Sequence, residues 1–369
     1  MAPANPGHLG HLGHLGHLGL RRLSQQRLTH DLFDTPAEVV GWLGAVQSQE
    51  YQPTTWSLGM RLLGATSAEV DRAFDEGAIL RTHIMRPTWH FVTPEDIRWL
   101  LALTAPRVKR AIANYSRQAG LNEADFARGA EIIADALRGG KSLLRTELGD
   151  ALTAAGMDVS DRMRLQFIVM NAELDGIICS GPRRGKQFTY ALLAERAPGA
   201  RALPREEALT ELTRRYFTSH GPATAHDFSW WSGLTTGDAR AGLALAGDTL
   251  VHEEIEGQTY YFAADALPAT NPAHEAFLLP TYDEMLVGYT GFAAATMGGR
   301  PRGNPNQFRA TVVIGGRVVA HWRRAITTKA AVIEIAPFEP LTDEQRASIF
   351  ATAGRYGQFF GVAVECVWL

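Results

Sequence analysis

The sequence predicts a mostly helical α+β fold, made of three tandem winged-helix motifs and a β-rich C-terminal domain. The first observation is that helices followed by a two-stranded hairpin occur three times in order, while the residues themselves barely repeat. The second is a change of texture beyond residue 271, where four short segments are β-rich. We expect the three motifs at 20–118, 119–200 and 201–270, and the β-rich domain at 271–369.

The chain opens with a low-complexity segment that we exclude from the fold. Residues 7–19 read GHLGHLGHLGHLG, and glycine at every third position disfavours any regular element. We therefore expect residues 1–19 to be a disordered tail. Its evenly spaced histidines could also bind a transition metal adventitiously.

The first motif begins with a strong helix-start signal. Thr35 is a predicted N-cap, Pro36 occupies the first helical position and Glu38 completes a capping box. The segment QSQEYQP follows, and then TTWSLGMRLL reads as a second helix. AILRTHIMRPTWHFVTP alternates like a hairpin, and PEDIRWLLALTAPRVKRAIANY is helical again.

The second and third motifs repeat this order. Between residues 142 and 194, two helices precede a hairpin of IICS and FTYAL, and Ser160 is the predicted N-cap of the second helix. In the third motif, Thr224 and Asp227 form a box-like cap, and the hairpin turns at residues 256–258. In the C-terminal domain, Gly315-Gly316 predicts a hairpin turn and residues near 341–357 a single helix.

Positive charge is segregated along the chain. The 369 residues sum to −3, yet residues 285–333 contain seven Lys or Arg and no Asp or Glu, so the other 320 residues sum to −3 − 7 = −10. Two further windows, residues 97–122 and 176–194, also lack acids. Such segregation can build a positive surface that binds phosphates, although solvated faces scattered around the fold are the alternative.

Several classes of protein are disfavoured. No apolar run approaches 18 residues, and the N-terminus lacks a signal-peptide pattern. The two cysteines, Cys179 and Cys366, have no metal-site spacing, so we expect no disulfide framework and a reducing cytoplasm. Phosphate-binding loop, zinc-ligand and Gly-x-Ser-x-Gly patterns are missing from the sequence.

Five segments together resemble one family. They are LGAVQSQEYQPTTWSLGMRL, LRTHIMRPTWHFV, HGPATAHDFSWWSGL, LLPTYDEMLVGY and GGRVVAHWRR. The chain is similar over residues 20–369 to the winged-helix DNA glycosylases of the AlkZ/YcaQ group, which remove bulky alkylated purines and unhook interstrand crosslinks. The family's catalytic signature, Gln–x–Gln or Gln–x–Asp, falls on Gln47 and Gln49. Glutamine at the second position resembles the AlkZ branch, whereas Ser48 is polar where the family usually has an apolar residue.

The resemblance implies a monofunctional glycosylase that acts on bulky or crosslinked N7-alkylated purines in duplex DNA. An N7-alkylated guanine is cationic, so its glycosidic bond is already weakened. Two amide carbonyls then suffice to hold the attacking water and to favour the developing sugar cation. We expect no metal or nucleotide cofactor, no membrane, no obligate protein partner and a monomer near the nucleoid. Glu50 is a rival general base, and both glutamines could instead merely cap a helix end.

Other side chains are candidates for DNA contact. The predicted DNA-binding residues are Arg86 and His90 in the first hairpin, Arg183, Arg184 and Lys186 at the second hairpin tip, and Arg323 and Arg324 in the C-terminal domain. Each set has a bland alternative as core or as a solvated turn.

Two further motifs and one rival function need weighing. Tyr282, Asp283 and Glu284 are expected to be buried and structural rather than an acid–base or metal site, and Trp230 and Trp231 to be core rather than a stacking surface for a base. The rival function is a non-catalytic winged-helix protein, either a transcriptional regulator or a genotoxin-sequestering resistance factor. A regulator would usually dimerise to read a palindrome, and no dimer helix is evident. A mere binder would tolerate loss of both glutamines.

Overall fold

The computed structural model describes residues 17–29, 32–269, 275–290, 309–326 and 330–369. Most of the glycine–histidine repeat, and three cations of the long acid-free stretch, Arg300, Arg302 and Lys329, lie outside these ranges. Residues 17–25 form the first helix, α1, which therefore includes the last three residues of the predicted tail.

The first unit is a helical layer against a three-stranded antiparallel sheet of order β1-β3-β2. Its elements are α2 (Pro36–Leu43), β1 (Val46–Gln47), α3 (Tyr51–Gly59), α4 (Ser67–Glu76), β2 (Leu80–Ile84), β3 (Arg86–Val92) and α5 (Ile97–Gln118). The predicted capping box of α2 is confirmed: the carboxylate of Glu38 accepts from the backbone N–H of Thr35 at 2.8 Å. The hairpin and the helix after it are also confirmed.

The second unit repeats the order of helices and a small sheet. It contains α6 (Glu123–Leu137), β4 (Leu143–Leu144), α7 (Arg145–Ala154), α8 (Arg162–Leu174), β5 (Ile178–Ser180), β6 (Thr189–Leu192) and α9 (Leu193–Arg196). Ser160 as N-cap of α8 was wrong by one residue. Asp161 caps the helix by accepting from Met163 N at 2.8 Å, whereas the Ser160 hydroxyl donates to Asp158 at 2.6 Å.

The third unit ends in a two-stranded hairpin. It contains α10 (Arg205–Ser219), α11 (Ala225–Ser232), α12 (Thr236–Ala246), a 3₁₀ turn (Gly247–Thr249), β7 (Leu250–Ile255) and β8 (Gln258–Ala263). The cap of α11 by Thr224 and Asp227 is confirmed. The hairpin turns at Glu256-Gly257, where both residues have positive φ, 54° and 75°, as a tight two-residue turn requires.

The C-terminal part is a curled five-stranded half-barrel of order β13-β12-β11-β10-β9. Its elements are β9 (Ala276–Leu279), α13 (Glu284–Val287), β10 (Thr311–Ile314), β11 (Arg317–Ile326), β12 (Ala330–Pro337), α14 (Asp343–Phe360) and β13 (Ala363–Trp368). Neighbouring strands are antiparallel except β12 and β13, which are parallel and joined by α14. The turn predicted at Gly315-Gly316 connects β10 to β11.

Two cores hold these parts together. One continuous core joins the first unit, the third unit and the half-barrel, and its largest buried side chains include Trp56, Trp99 and Trp231. A smaller core belongs to the second unit and the adjoining part of α5. Within the described ranges, no helix has the length and apolarity needed to cross a bilayer.

Candidate active site

The QSQ segment lies between α2 and α3, and its first residue, Gln47, belongs to the short edge strand β1. Gln47 in β1 is the cross-strand partner of His90 in β3, and His90 is in turn the partner of Thr82 in β2. Directly paired residues of a sheet share one face. The backbone N–H of Ser48 continues the ladder by donating to the Trp89 carbonyl at 2.7 Å. The two glutamines are thus attached to one strand, β3.

Gln47 is held at three points. Its backbone N–H donates to Glu284 Oε1 at 2.8 Å, and its backbone carbonyl accepts from Thr54 Oγ1 at 3.1 Å. Its side-chain Oε1 accepts from Arg86 Nη2 at 2.6 Å. A guanidinium only donates hydrogen bonds, so the oxygen of the Gln47 amide must face Arg86. A carbonyl oxygen has two lone pairs, and one remains for another donor.

Gln49 is exposed and oriented in a comparable way. Its Oε1 accepts from the backbone N–H of Trp89 at 3.3 Å. A backbone N–H is also only a donor, so the amide of Gln49 is fixed with its oxygen toward β3. The segment itself is clamped by Arg81, which donates to the Ser48 carbonyl at 3.1 and 2.9 Å and to the Gln49 carbonyl at 3.4 Å.

Arg86 links Gln47 to an exposed aromatic side chain. Its guanidinium lies 5.7 Å from the ring centroid of Trp230, which is 41% exposed. Burial lowers the pKa of Arg86, and the charge of Glu284 opposes this. Among the described residues it has no carboxylate within 4 Å, so no ion pair neutralises its charge.

Glu284 supports the segment from beneath. Its carboxylate has no exposed surface and accepts from three donors: Gln47 N, Trp231 Nε1 at 2.8 Å and His220 Nε2 at 3.3 Å. Burial lowers the pKa of His220, and Glu284 opposes that shift. Since a carboxylate here only accepts, it fixes the proton of the neutral imidazole on Nε2.

The neighbouring carboxylate, Asp283, is equally buried. It pairs with Arg61 at 2.9 Å and accepts from Ser57 Oγ at 2.6 Å. The predicted burial is therefore confirmed for both acids, whereas Tyr282 is half-buried. Of the two tryptophans, Trp231 lies in the core as expected, whereas the side chain of Trp230 is exposed.

His90 is a neutral, buried residue of β3 and the cross-strand partner of Gln47. Its Nδ1 donates to the Thr88 carbonyl at 3.0 Å, and its Nε2 has no hydrogen-bond partner in the described part of the chain. Burial, and after it the charge of Arg86, lowers the pKa of His90 from 6.5 to about 3. The side chain has no exposed surface, which argues against the direct DNA contact predicted for it.

The three cations predicted at the tip of the second hairpin differ in availability. Arg183 makes two hydrogen bonds to Asp75, at 3.0 and 2.8 Å, and Arg184 pairs with Glu147 at 2.7 Å. Lys186 is exposed and has no carboxylate partner among the described residues. Acids from other elements therefore neutralise most of this cationic tip.

The two arginines of the half-barrel also differ. Arg323 is exposed and pairs with Glu334 on the neighbouring strand. Arg324 is half-buried, donates to the Tyr356 hydroxyl and reaches Gln52 Oε1 at 3.0 Å. Since Gln52 belongs to α3, Arg324 connects the half-barrel to the helix that follows the QSQ segment.

Glu50 is exposed and precedes α3 without capping it by its side chain. With Arg323, Arg324, Trp56 and Pro53 it lines a cavity of about 570 Å³ against the half-barrel. This environment differs from that of the Gln47 amide, which faces Arg86. The structure therefore sets the rival base and the two glutamines in different surroundings.

No group of three or more His, Cys, Asp or Glu side chains within the described ranges could hold a metal ion. Cys179 is buried, and burial raises the pKa of its thiol to about 12. The sequence did not single out Arg81, whose strand position looks like that of any buried β residue. Its contact with Ser48, which is 33 residues away in the sequence, is visible only in the folded structure.

Three comparisons place the chain among known proteins. A family model described as DNA glycosylase AlkZ-like matches residues 40–359. An interstrand DNA cross-link repair glycosylase of Streptomyces sahachiroi is 26% identical over 279 residues, which is 72% of this chain and 75% of that protein. The solved structure of the Streptomyces sahachiroi DNA glycosylase AlkZ superposes with a TM-score of 0.78 at 25% identity, covering 95% of this chain and 99% of that one.

Proposed function

The chain belongs to the AlkZ-like DNA glycosylase family, and we propose that it hydrolyses the N-glycosidic bond of bulky or crosslinked N7-alkylated purines in duplex DNA. The observation that carries the proposal is the anchoring of Gln47 and Gln49 to β3. Each amide oxygen is oriented by one donor, Arg86 or the Trp89 N–H, and keeps one lone pair for a water molecule.

The chemistry requires position more than basicity. In the alkylated nucleotide the bond from C1′ to N9 breaks, its electron pair neutralises the cationic base, and the sugar becomes an oxocarbenium ion. Water then bonds to C1′ and loses a proton to solvent, which leaves an abasic site. Two oriented amide oxygens accept the water's hydrogens and point its lone pair at C1′, and their dipoles favour the sugar cation. No side chain needs to change its protonation state.

Arg86 has two roles in this proposal. One of its N–H donors holds Gln47, and others are left to bind the phosphate beside the target nucleotide. Alone, a guanidinium near the sugar would oppose the developing cation. A phosphate paired with Arg86 removes that penalty, because the pair is neutral.

The wider DNA surface follows from the fold. We interpret the three helical units, each with an antiparallel hairpin, as winged helices. Arg86, Lys186 and Arg324 are the predicted contacts that are exposed or half-buried and have no carboxylate partner among the described residues. Arg183, Arg184 and Arg323 would have to exchange their carboxylate partners for phosphates. The proposal requires no membrane and no partner subunit, and it places the monomer with chromosomal DNA in the cytoplasm.

The test is excision from duplex DNA carrying one N7-alkylguanine, either small or bulky, followed by alkaline cleavage of abasic sites. We expect Gln47→Ala and Gln49→Ala each to lower the single-turnover rate by about 100-fold or more, because water orientation is lost. Glu50→Gln, which removes the adjacent carboxylate, is the matched control and should stay within about threefold of wild type.

Two outcomes would change the proposal, and a third would reveal a folding defect. If Glu50→Gln loses activity while both alanine variants keep it, the role of activating the water would be assigned to Glu50. Wild-type protein that binds the damaged duplex but forms no abasic site with either adduct would leave a sequestering protein. Weak DNA binding by the alanine variants would show damage to the fold instead, so binding is measured on every variant.

A further inference from the structure

Helix α5 carries exposed cations and no acids. Its 22 residues, Ile97–Gln118, contain no Asp or Glu. Arg107, Arg110 and Arg117 are all exposed, and none has a carboxylate within 4 Å among the residues that the structure describes. At 100° per residue these three positions fall within about 80° of one helix face. We call this face the α5 stripe.

The stripe begins close to the candidate active site. Arg107 Nε donates to the Gly233 carbonyl at 3.3 Å. Gly233 has φ +70° and packs so tightly on the first hairpin that a Cβ there would overlap the Met85 carbonyl and lie 3.7 Å from Arg86 Cγ. Arg86 in turn holds the side chain of Gln47. Two residues, Gly233 and Arg86, therefore lie between the first arginine of the stripe and the catalytic candidate.

The stripe then runs away from this point along the helix. From residue 107 to residue 117 an α-helix rises about 15 Å. Successive base pairs of a duplex are about 3.4 Å apart, so this length matches about four base pairs. The stripe is therefore long enough to follow one arm of a duplex whose damaged nucleotide lies at Gln47.

The arrangement is unfavourable for the helix by itself. Arg107 and Arg110 are three residues apart and repel each other, and exposed helix faces usually mix acids with bases. Lys109, on the same helix but outside the stripe, is neutralised in the usual way by an ion pair with Asp175. A polyanionic partner removes the repulsion along the stripe.

We infer that Arg107, Arg110 and Arg117 bind backbone phosphates of the duplex arm on one side of the target nucleotide. The inference rests on the proposed function, which it extends from the reacting nucleotide to about four neighbouring base pairs. Contacts of this kind set affinity and register, and they do not read sequence.

The first test is the salt dependence of binding to undamaged duplex DNA. Each phosphate contact contributes about 0.9 to the slope of log K against log salt, so replacing the three arginines by Gln should reduce the slope by about 2.7. The control replaces Arg138, Arg205 and Arg346 by Gln, which removes the same charge at exposed positions on other elements. Its slope should change by less than about 0.5.

The second test measures binding to duplexes with a stable abasic analogue and one arm shortened from ten base pairs to two. Wild-type affinity should fall when one particular arm becomes shorter than about four base pairs. The stripe variant should be insensitive to that shortening and keep its response to the other arm.

Equal slope changes in the stripe and control variants would overturn the inference, as would equal sensitivity of wild type and stripe variant to arm length. The slope is measured without any excision. The inference about the stripe can therefore fail while base excision remains normal. Conversely, the proposed excision can fail while the salt slope of the stripe variant is still reduced.

Discussion

The buried imidazole of His90 predicts a loss of stability in mild acid. His90 is the cross-strand partner of Gln47, and burial lowers its pKa from 6.5 to about 3. The unfolded chain therefore takes up a proton at this residue as pH falls below 6.5, whereas the folded chain stays neutral until about pH 3. Stability that is complete above pH 6.5 is thus lost progressively below it.

The size of the loss follows from the two pKa values. At pH 5 the folded residue is still unprotonated, and protonation of the unfolded chain favours unfolding by RT ln(1 + 10^1.5), about 2 kcal/mol. His220, whose pKa burial also lowers, adds to the loss in the same direction. Most buried carboxylates with lowered pKa values titrate below this range and contribute little between pH 8 and pH 5.

The assay is urea unfolding followed by tryptophan fluorescence at pH 8 and pH 5, for wild type and His90→Asn. Asparagine can keep the hydrogen bond to the Thr88 carbonyl but cannot titrate. The pH-dependent loss should be about 2 kcal/mol smaller in the variant than in wild type. Because each protein is compared with itself, lower stability of the variant at both pH values does not matter. Equal losses in the two proteins would refute the assignment of His90 as a buried neutral residue.

Two more substitutions test the support of the glutamines. Arg86→Met keeps an unbranched but shorter side chain and removes the donor to Gln47. The single-turnover excision rate should therefore fall about 10- to 100-fold with unchanged thermal stability; an unchanged rate would contradict the role of Arg86. Glu284→Gln turns an N–H₂ group toward one buried donor, Gln47 N or Trp231 Nε1. The urea-derived free energy of unfolding should therefore decrease by about 2–4 kcal/mol, and a decrease below about 0.5 kcal/mol would count against this network.

Short-range signals predicted the elements well. The caps at Thr35 and Thr224 and the turn at Gly257 were confirmed because each depends on hydrogen bonds or dihedral angles within four residues. The cap of α8 was missed because Ser160 and Asp161 are adjacent and both are good caps. The choice between them depends on Asp158, which engages the serine hydroxyl.

Long-range contacts could not be predicted in the same way. The sequence pointed to the QSQ segment and to the acidic pair near residue 284, but nothing local connects them. The hydrogen bond from Gln47 N to Glu284 joins residues 237 positions apart in the sequence, and the one from Arg61 to Asp283 joins residues 222 positions apart. A carboxylate flanked by apolar residues was rightly expected to be buried. Its donors, however, are set by how the third unit and the half-barrel pack against the first.

The acid-free windows show the difference between a charged sequence and a charged surface. The window at residues 176–194 carries Arg183 and Arg184, but helices elsewhere in the chain supply Asp75 and Glu147 to neutralise them. A hairpin tip lies against neighbouring elements, so its charge balance depends on the fold. The window at residues 97–122 is mostly one long helix. Lys109 pairs with Asp175, but Arg107, Arg110 and Arg117 have no carboxylate within 4 Å in the described part of the chain. Its charge therefore persists into the structure, and it persists beside the residue that holds Gln47. Where a helix displays its own uncompensated face, a run of bases in sequence is a sound predictor of a positively charged surface. Where a turn is packed on other elements, it is not.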